Sequence, residues 1–119
     1  MTSVERRAEG TSIRIEPEPF RVEVLPDRQR VVVVPHGELD IATVDQLAEE
    51  IDELVGRGFD TVVVDLRATS FLDSSGLHLL VRQSARIDAR VSVIDGPPAI
   101  RRVIELAGVR PLLQFEAAR

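Results

Sequence analysis

The chain contains no cysteine, no lysine, no tryptophan and no tyrosine, and only four of its 119 residues are phenylalanine. Without cysteine, disulfide frameworks, thiolate nucleophiles and Cys-based zinc sites are excluded together. Without lysine the phosphate loop G-x-x-x-x-G-K-[ST] cannot be written, and G-x-G-x-x-G is missing as well, so nucleotide binding by this chain alone is not expected. With aromatics at 3%, the core must be made of Val, Leu, Ile and Ala. No apolar run approaches the roughly 20 residues that span a bilayer. The first residues, Met1 to Arg7, lack the apolar stretch of a secretory signal, so a cytoplasmic protein is expected.

What is present describes an ordinary globular domain. The content is 44% hydrophobic and 29% charged with a net charge of −5. A chain of this length fits one domain, able to bury roughly two thirds of its extended-chain surface. The arginines are scattered rather than blocked, which argues against a phosphate-backbone footprint and against direct nucleic-acid binding. The one dense pair, Arg101-Arg102, reads as a solvated helix face.

Residues 1–19 are polar and charged and end in Glu16-Pro17-Glu18-Pro19, which disfavours helix, so they read as a flexible N-terminal arm. From Phe20 onward the pattern tightens. Phe20-Arg21-Val22-Glu23-Val24 alternates, Pro26-Asp27 is read as a turn, and Val31 to Val34 is β-branched, which together predict a hairpin. Pro35 is expected to mark the strand's end, an edge or a bulge. A helix is predicted over residues 43–55 because Val44, Leu47, Ala48, Ile51, Leu54 and Val55 recur at helical spacing. Thr43 and Gln46 have capping-box spacing at its start, and Gly56 is the expected C-cap.

A short buried strand over residues 61–66 follows, then Asp73-Ser74-Ser75-Gly76, then a helix whose stripe is read as Leu77, Leu80, Val81, Ser84 and Ala85. In that helix Arg82, Arg86 and Asp88 are expected to point outward. A strand over residues 90–95 leads through Gly96-Pro97-Pro98 into a third helix with Ile100, Val103, Ile104 and Ala107, ended by Gly108. A short apolar piece, residues 112–115, follows Pro111. The order ββαβαβα(β) implies an α/β fold with helices packed on a small, mostly parallel or mixed sheet.

The Asp73-Ser74-Ser75-Gly76 tetrad puts an acid and two hydroxyls at a helix N-terminus, where unpaired N–H groups favour an anion. Ser74 is a poor catalytic nucleophile, because G-x-S-x-G is absent. The only histidines are His36 and His78, of which His78 stands at i, i+4 from Ser74. Asp40, Asp65 and Asp73 could meet at one sheet end, but such aspartates are usually caps or turn residues rather than metal ligands. Taken alone, the tetrad would be only an N-cap.

It is accompanied by Gly37-Glu38-Leu39-Asp40 upstream and by Ala99-Ile100-Arg101-Arg102-Val103-Ile104 with Ala107-Gly108-Val109 downstream. With Phe71-Leu72-Asp73-Ser74-Ser75-Gly76-Leu77 between them, the chain from Phe20 to Phe115 resembles the anti-sigma factor antagonists of the STAS domain family. The resemblance implies a STAS-like fold over residues 20–119, a small mixed β-sheet packed with α-helices. It also implies a regulator that is no enzyme: the unmodified form binds an anti-sigma factor serine kinase and frees a sigma factor, and phosphorylation of Ser74 switches binding off. Asp40, Asp73, Ser75, Gly76 and Leu77 would belong to the partner surface. The kinase would supply ATP and Mg²⁺, a phosphatase would reverse the modification, and no cofactor is implied for this chain. The alternative within the family is an unphosphorylated STAS scaffold or small-ligand sensor. His78, where relatives usually keep a small residue, Pro35 and the N-terminal arm depart from the family pattern.

Overall fold

The computed structural model describes residues 4–8, 11–15 and 19–118. Strands β1 (Val4–Ala8) and β2 (Thr11–Ile15) pair antiparallel as a two-stranded sheet of their own. The flexible arm expected over residues 1–19 is therefore strand in those two segments. β-branched Thr11, Ile13 and Ile15 alternate there with Ser12 and Arg14, a short period-2 pattern. Residues 1–3, 9–10 and 16–18 lie outside the described residues.

The main sheet has five strands: β3 (Arg21–Asp27), β4 (Arg30–Leu39), β5 (Thr61–Asp65), β6 (Thr69–Leu72) and β7 (Arg90–Ile94). Its order is β3-β4-β5-β7, with β6 paired to β4 beyond the end of β5. Only β3 runs antiparallel to its neighbour, so the sheet is mixed. Helices α1 (Val44–Gly56), α2 (Ser74–Ser84) and α3 (Pro98–Ala107) fill the connections, with single 3₁₀ turns at Leu66–Ala68 and Arg110–Leu112.

The β-branched runs pair in register and make the floor of the core. Val31 lies opposite Val62, which lies opposite Val91; Val33, Val64 and Val93 form the next row. Leu47, Ile51 and Leu54 of α1, Leu79 and Leu80 of α2, and Ile100 and Ile104 of α3 complete the same cluster. Removing these branched side chains from water is the main stabilising term, about 1.5–3 kcal/mol for each fully buried Val, Leu or Ile. The other face carries Val32, Val63 and Ser92 in one row. Val63 is fully buried there, and the paired side chains of Arg30 and Glu116 reach across that face.

Several local expectations are corrected. Pro26 and Asp27 are strand residues, and the hairpin turns at Arg28-Gln29, with Arg28 at φ 61°. β3 is an edge strand, which is where a proline's missing donor is tolerated. Pro35 does not end β4. The ladder to β5 stops at Val33 and the one to β6 begins at Gly37, so Pro35 falls in the gap between them, and the register shift lies at Gly37/Glu38. Gly56 is the last helical residue of α1 and Arg57 its C-cap, whereas Gly108 ends α3 at φ 71° as expected. β5 ends at Asp65, and a separate strand, β6, precedes the tetrad. The buried face of α2 is Gly76, Leu79, Leu80 and Gln83, rotated from the expected stripe. Arg86 does not point outward: its side chain is 17% exposed and is gripped by Asp52 and Asp88.

Candidate functional site

β4 and β6 run parallel with Leu39 opposite Leu72, and both leucines are buried. An aspartate follows the last residue of each strand, so Asp40 and Asp73 leave the same end of the sheet from adjacent strands. Each then opens a helix connection. The Asp73 N–H donates to the Leu39 carbonyl at 3.4 Å, tying the two strand ends together. Parallel strands are about 4.8 Å apart, so sequence positions 33 residues distant share one surface.

Asp73 is the N-cap of α2: its Oδ1 accepts from the Gly76 N–H at 3.0 Å. Ser74 is therefore the first helical residue and is exposed, Ser75 is half-buried, and Gly76 is buried. Gly76 sits against the end of β4. A Cβ built there would lie 2.4 Å from Leu72 Cδ1 and 2.7 Å from the Leu39 carbonyl oxygen. Leu77 is partly buried against the core. Of the residues expected on a partner surface, Ser74 is exposed, Asp40, Asp73, Ser75 and Leu77 are half-buried, and Gly76 is buried. Asp73→Ala is expected to cost about 0.5–2 kcal/mol through the lost cap, read as a lower thermal midpoint with the fold retained.

The loop after Asp40 is held by a net of short bonds. Asp40 Oδ1 accepts from the Ala42 N–H at 2.9 Å. The Thr43 hydroxyl donates to the Glu38 carbonyl at 2.7 Å and accepts from the Asp40 N–H at 3.0 Å. The expected capping box is thus not made. Thr43 is the N-cap of α1, but its oxygen accepts from the Asp40 N–H instead of from a first-turn N–H of the helix, and its O–H goes to Glu38 near the end of β4. That choice braces the Asp40 loop rather than the helix start.

The three aspartates considered as a metal set are engaged separately. Asp65 is 5% exposed, and burial opposes its ionisation. Three hydrogen bonds from the Arg67 side chain, at 2.8–3.2 Å, and one from the Arg67 N–H nevertheless hold its carboxyl below the usual range. Among the described residues no group of three His, Cys, Asp or Glu side chains is placed to hold a metal ion. Nor is a nucleophile assembled among them: His78 is exposed with no hydrogen bond to Ser74, and His36 on β4 bonds Glu23 at 2.8 Å.

Two exposed apolar residues at this sheet edge were not anticipated. Ile41, next to Asp40, is 76% exposed, and Phe71 of β6, opposite Glu38, is 47% exposed. The alternation of Phe71 with buried Leu72 is the signal that could have revealed β6.

Fold and site together define an α/β domain that presents an exposed serine, at the start of a capped helix, beside two aspartates. The STAS domain family model matches residues 21–118. An anti-sigma F factor antagonist of Lysinibacillus sphaericus is 30% identical over 96 residues, covering 77% of this chain and 81% of that protein. A crystal structure of an anti-sigma factor antagonist from Mycobacterium paratuberculosis superposes with TM-score 0.72 at 28% identity, over 84% of this chain and 87% of the other. The anti-sigma factor antagonist SpoIIAA in its unphosphorylated form gives 0.66 at 27% identity, over 85% and 89%. The phosphorylated form, from Bacillus, gives 0.59 at 28%, over 85% and 92%. The chain belongs to the STAS domain family. No helix among the described residues is long and apolar enough to cross a membrane.

Proposed function

We propose that this chain is an anti-sigma factor antagonist whose unmodified form binds an anti-sigma factor serine kinase, so that a sigma factor is released and transcription proceeds. Phosphorylation of Ser74 ends that binding. The observation that carries the reading is the exposed Ser74 hydroxyl on the first turn of α2, flanked by Asp73 and by Asp40 from the neighbouring strand. Relatives bearing the antagonist name, and a SpoIIAA structure in a phosphorylated form, support it.

The chemistry divides between two proteins. The kinase supplies ATP, Mg²⁺ and the base that takes the serine proton; this chain supplies a hydroxyl held on a rigid helix start. Ser75 is half-buried and the less accessible acceptor. A phosphatase restores the hydroxyl. The regulator acts in the cytoplasm, is no enzyme and makes no direct contact with nucleic acid.

The test is incubation of the chain with its anti-sigma kinase and ATP, followed by fragmentation mass spectrometry. One phosphate on Ser74 is expected. A phosphate mapped to Ser75 or elsewhere, or none with a kinase that binds the chain, would refute the assignment.

A further inference from the structure

The two outer strands of the main sheet are protected differently. β3 carries Pro26 and the charged residues Arg21, Glu23 and Asp27, devices that discourage another strand from pairing. β7 reads Arg90-Val91-Ser92-Val93-Ile94, with no proline and one charge at its end. Its outer edge is instead met by residues 113–116 of the same chain. The Val93 N–H donates to the Gln114 carbonyl at 2.7 Å, and the Glu116 N–H donates to the Val93 carbonyl at 2.9 Å. Val93 and Phe115 form a single parallel bridge.

We propose that residues 113–116 are a guard strand closing the β7 edge, and that their release opens this edge to pairing with β7 of a second copy of the chain. The guard is anchored at its start by Leu113, which is buried in the core, and Phe115 packs partly against that core; the rest of its hold is polar and partly exposed. Glu116 pairs with Arg30, Nη1 to Oε1 at 3.0 Å, and both side chains are about one quarter exposed, at 28% and 26%. Arg110 lies 4.1 Å from the Phe115 ring centroid and bonds Asp95 at 2.6 Å. Cover of the edge is also incomplete, for an open groove of about 590 Å³ lined by Ser84, Ile87, Arg90, Val91, Gln114 and Phe115 runs beside the early part of β7.

A second copy fits the opened edge because β7 is complementary to itself. An antiparallel pairing centred on Ser92 sets Arg90 opposite Ile94 and Val91 opposite Val93, so no like charges face each other. Such a pairing has a two-fold axis and closes at a dimer. None of these residues belongs to the start of α2, so the inference stands apart from the role of Ser74.

Glu116→Pro in the full chain removes both the N–H that donates to Val93 and the partner of Arg30, whereas Glu116→Gln keeps the N–H. Sedimentation velocity over a concentration series, with amide hydrogen exchange at Val93, reads the result. Glu116→Pro is expected to double its mass relative to the parent, with Val93 protection rising as concentration rises, while Glu116→Gln keeps the parent's mass. A folded Glu116→Pro chain with the parent's mass throughout, or a heavier one whose Val93 amide stays open, would overturn the proposal. If Glu116→Pro does not fold, Arg110→Ala decides. Association with concentration-dependent Val93 protection supports the guard; fast Val93 exchange at the parent's mass at all concentrations rejects it.

Discussion

A Ser74→Glu chain is expected to bind the anti-sigma partner about 10- to 100-fold more weakly than the parent, a loss of about 1.4–2.7 kcal/mol. Ser74→Ala is expected to bind as the parent does while taking up no phosphate. The direction follows from the neighbours. Asp73 precedes Ser74, and Asp40 is brought beside it because Leu39 and Leu72 are opposite each other on adjacent strands. One more negative charge about 4 Å from a carboxylate costs on the order of 4 kcal/mol at an effective dielectric of 20, before solvent relaxes. A helix N-terminus returns only about 0.3–1 kcal/mol. Phosphate, at about −1.5 to −2, should exceed the Glu effect. Because the helix start already has its cap from Asp73, the new charge changes the surface and leaves the backbone in place. Titration calorimetry of the three chains against the kinase checks this; equal affinity for parent and Ser74→Glu would defeat exclusion by charge.

Gly76→Ala is expected to destabilise the domain by about 1–3 kcal/mol, the cost of overpacking a filled core. Propensity alone gives the opposite sign, because alanine replacing glycine inside a helix usually gains about 1 kcal/mol. Contact geometry decides. The added Cβ would stand 2.7 Å from the Leu39 carbonyl oxygen and 2.4 Å from Leu72 Cδ1, and the first of these neighbours is backbone that cannot swing away. Relief would require α2 to move off the ends of β4 and β6, displacing Ser74 from Asp40. Thermal unfolding should therefore show a lower midpoint, and kinase binding should weaken with it. A higher midpoint would mean that the close approach is not maintained.

The parts of the fold that could be read beforehand are those governed by neighbours along the chain. Leu47, Ile51 and Leu54 recur on one helical face and are the residues α1 buries. Gly108 adopts the left-handed conformation that its place after an apolar helix suggests. The failures have a common cause. Thr43 has the spacing of a capping box, but the carbonyl its hydroxyl binds, at Glu38, belongs to the strand before it. Arg86, just beyond α2, reads as a surface charge until Asp52 of α1 is placed next to it. Pro35 reads as a strand end, an edge or a bulge until the ladders to β5 and β6 are seen to leave it a gap within β4.

An aliphatic α/β domain without thiol chemistry, with a serine after an aspartate at a strand-to-helix junction, is already written in the chain. Those properties depend on composition and on spacings of a few residues, which periodicity and capping preferences encode directly. Strand order and register were needed to bring Asp40 to the same sheet end as Asp73, to leave Gly76 no room for a Cβ, and to lay residues 113–116 on the edge of β7. Each of these joins segments distant along the chain through strand order and register, and one residue of slip in a strand would turn every side chain to the other face.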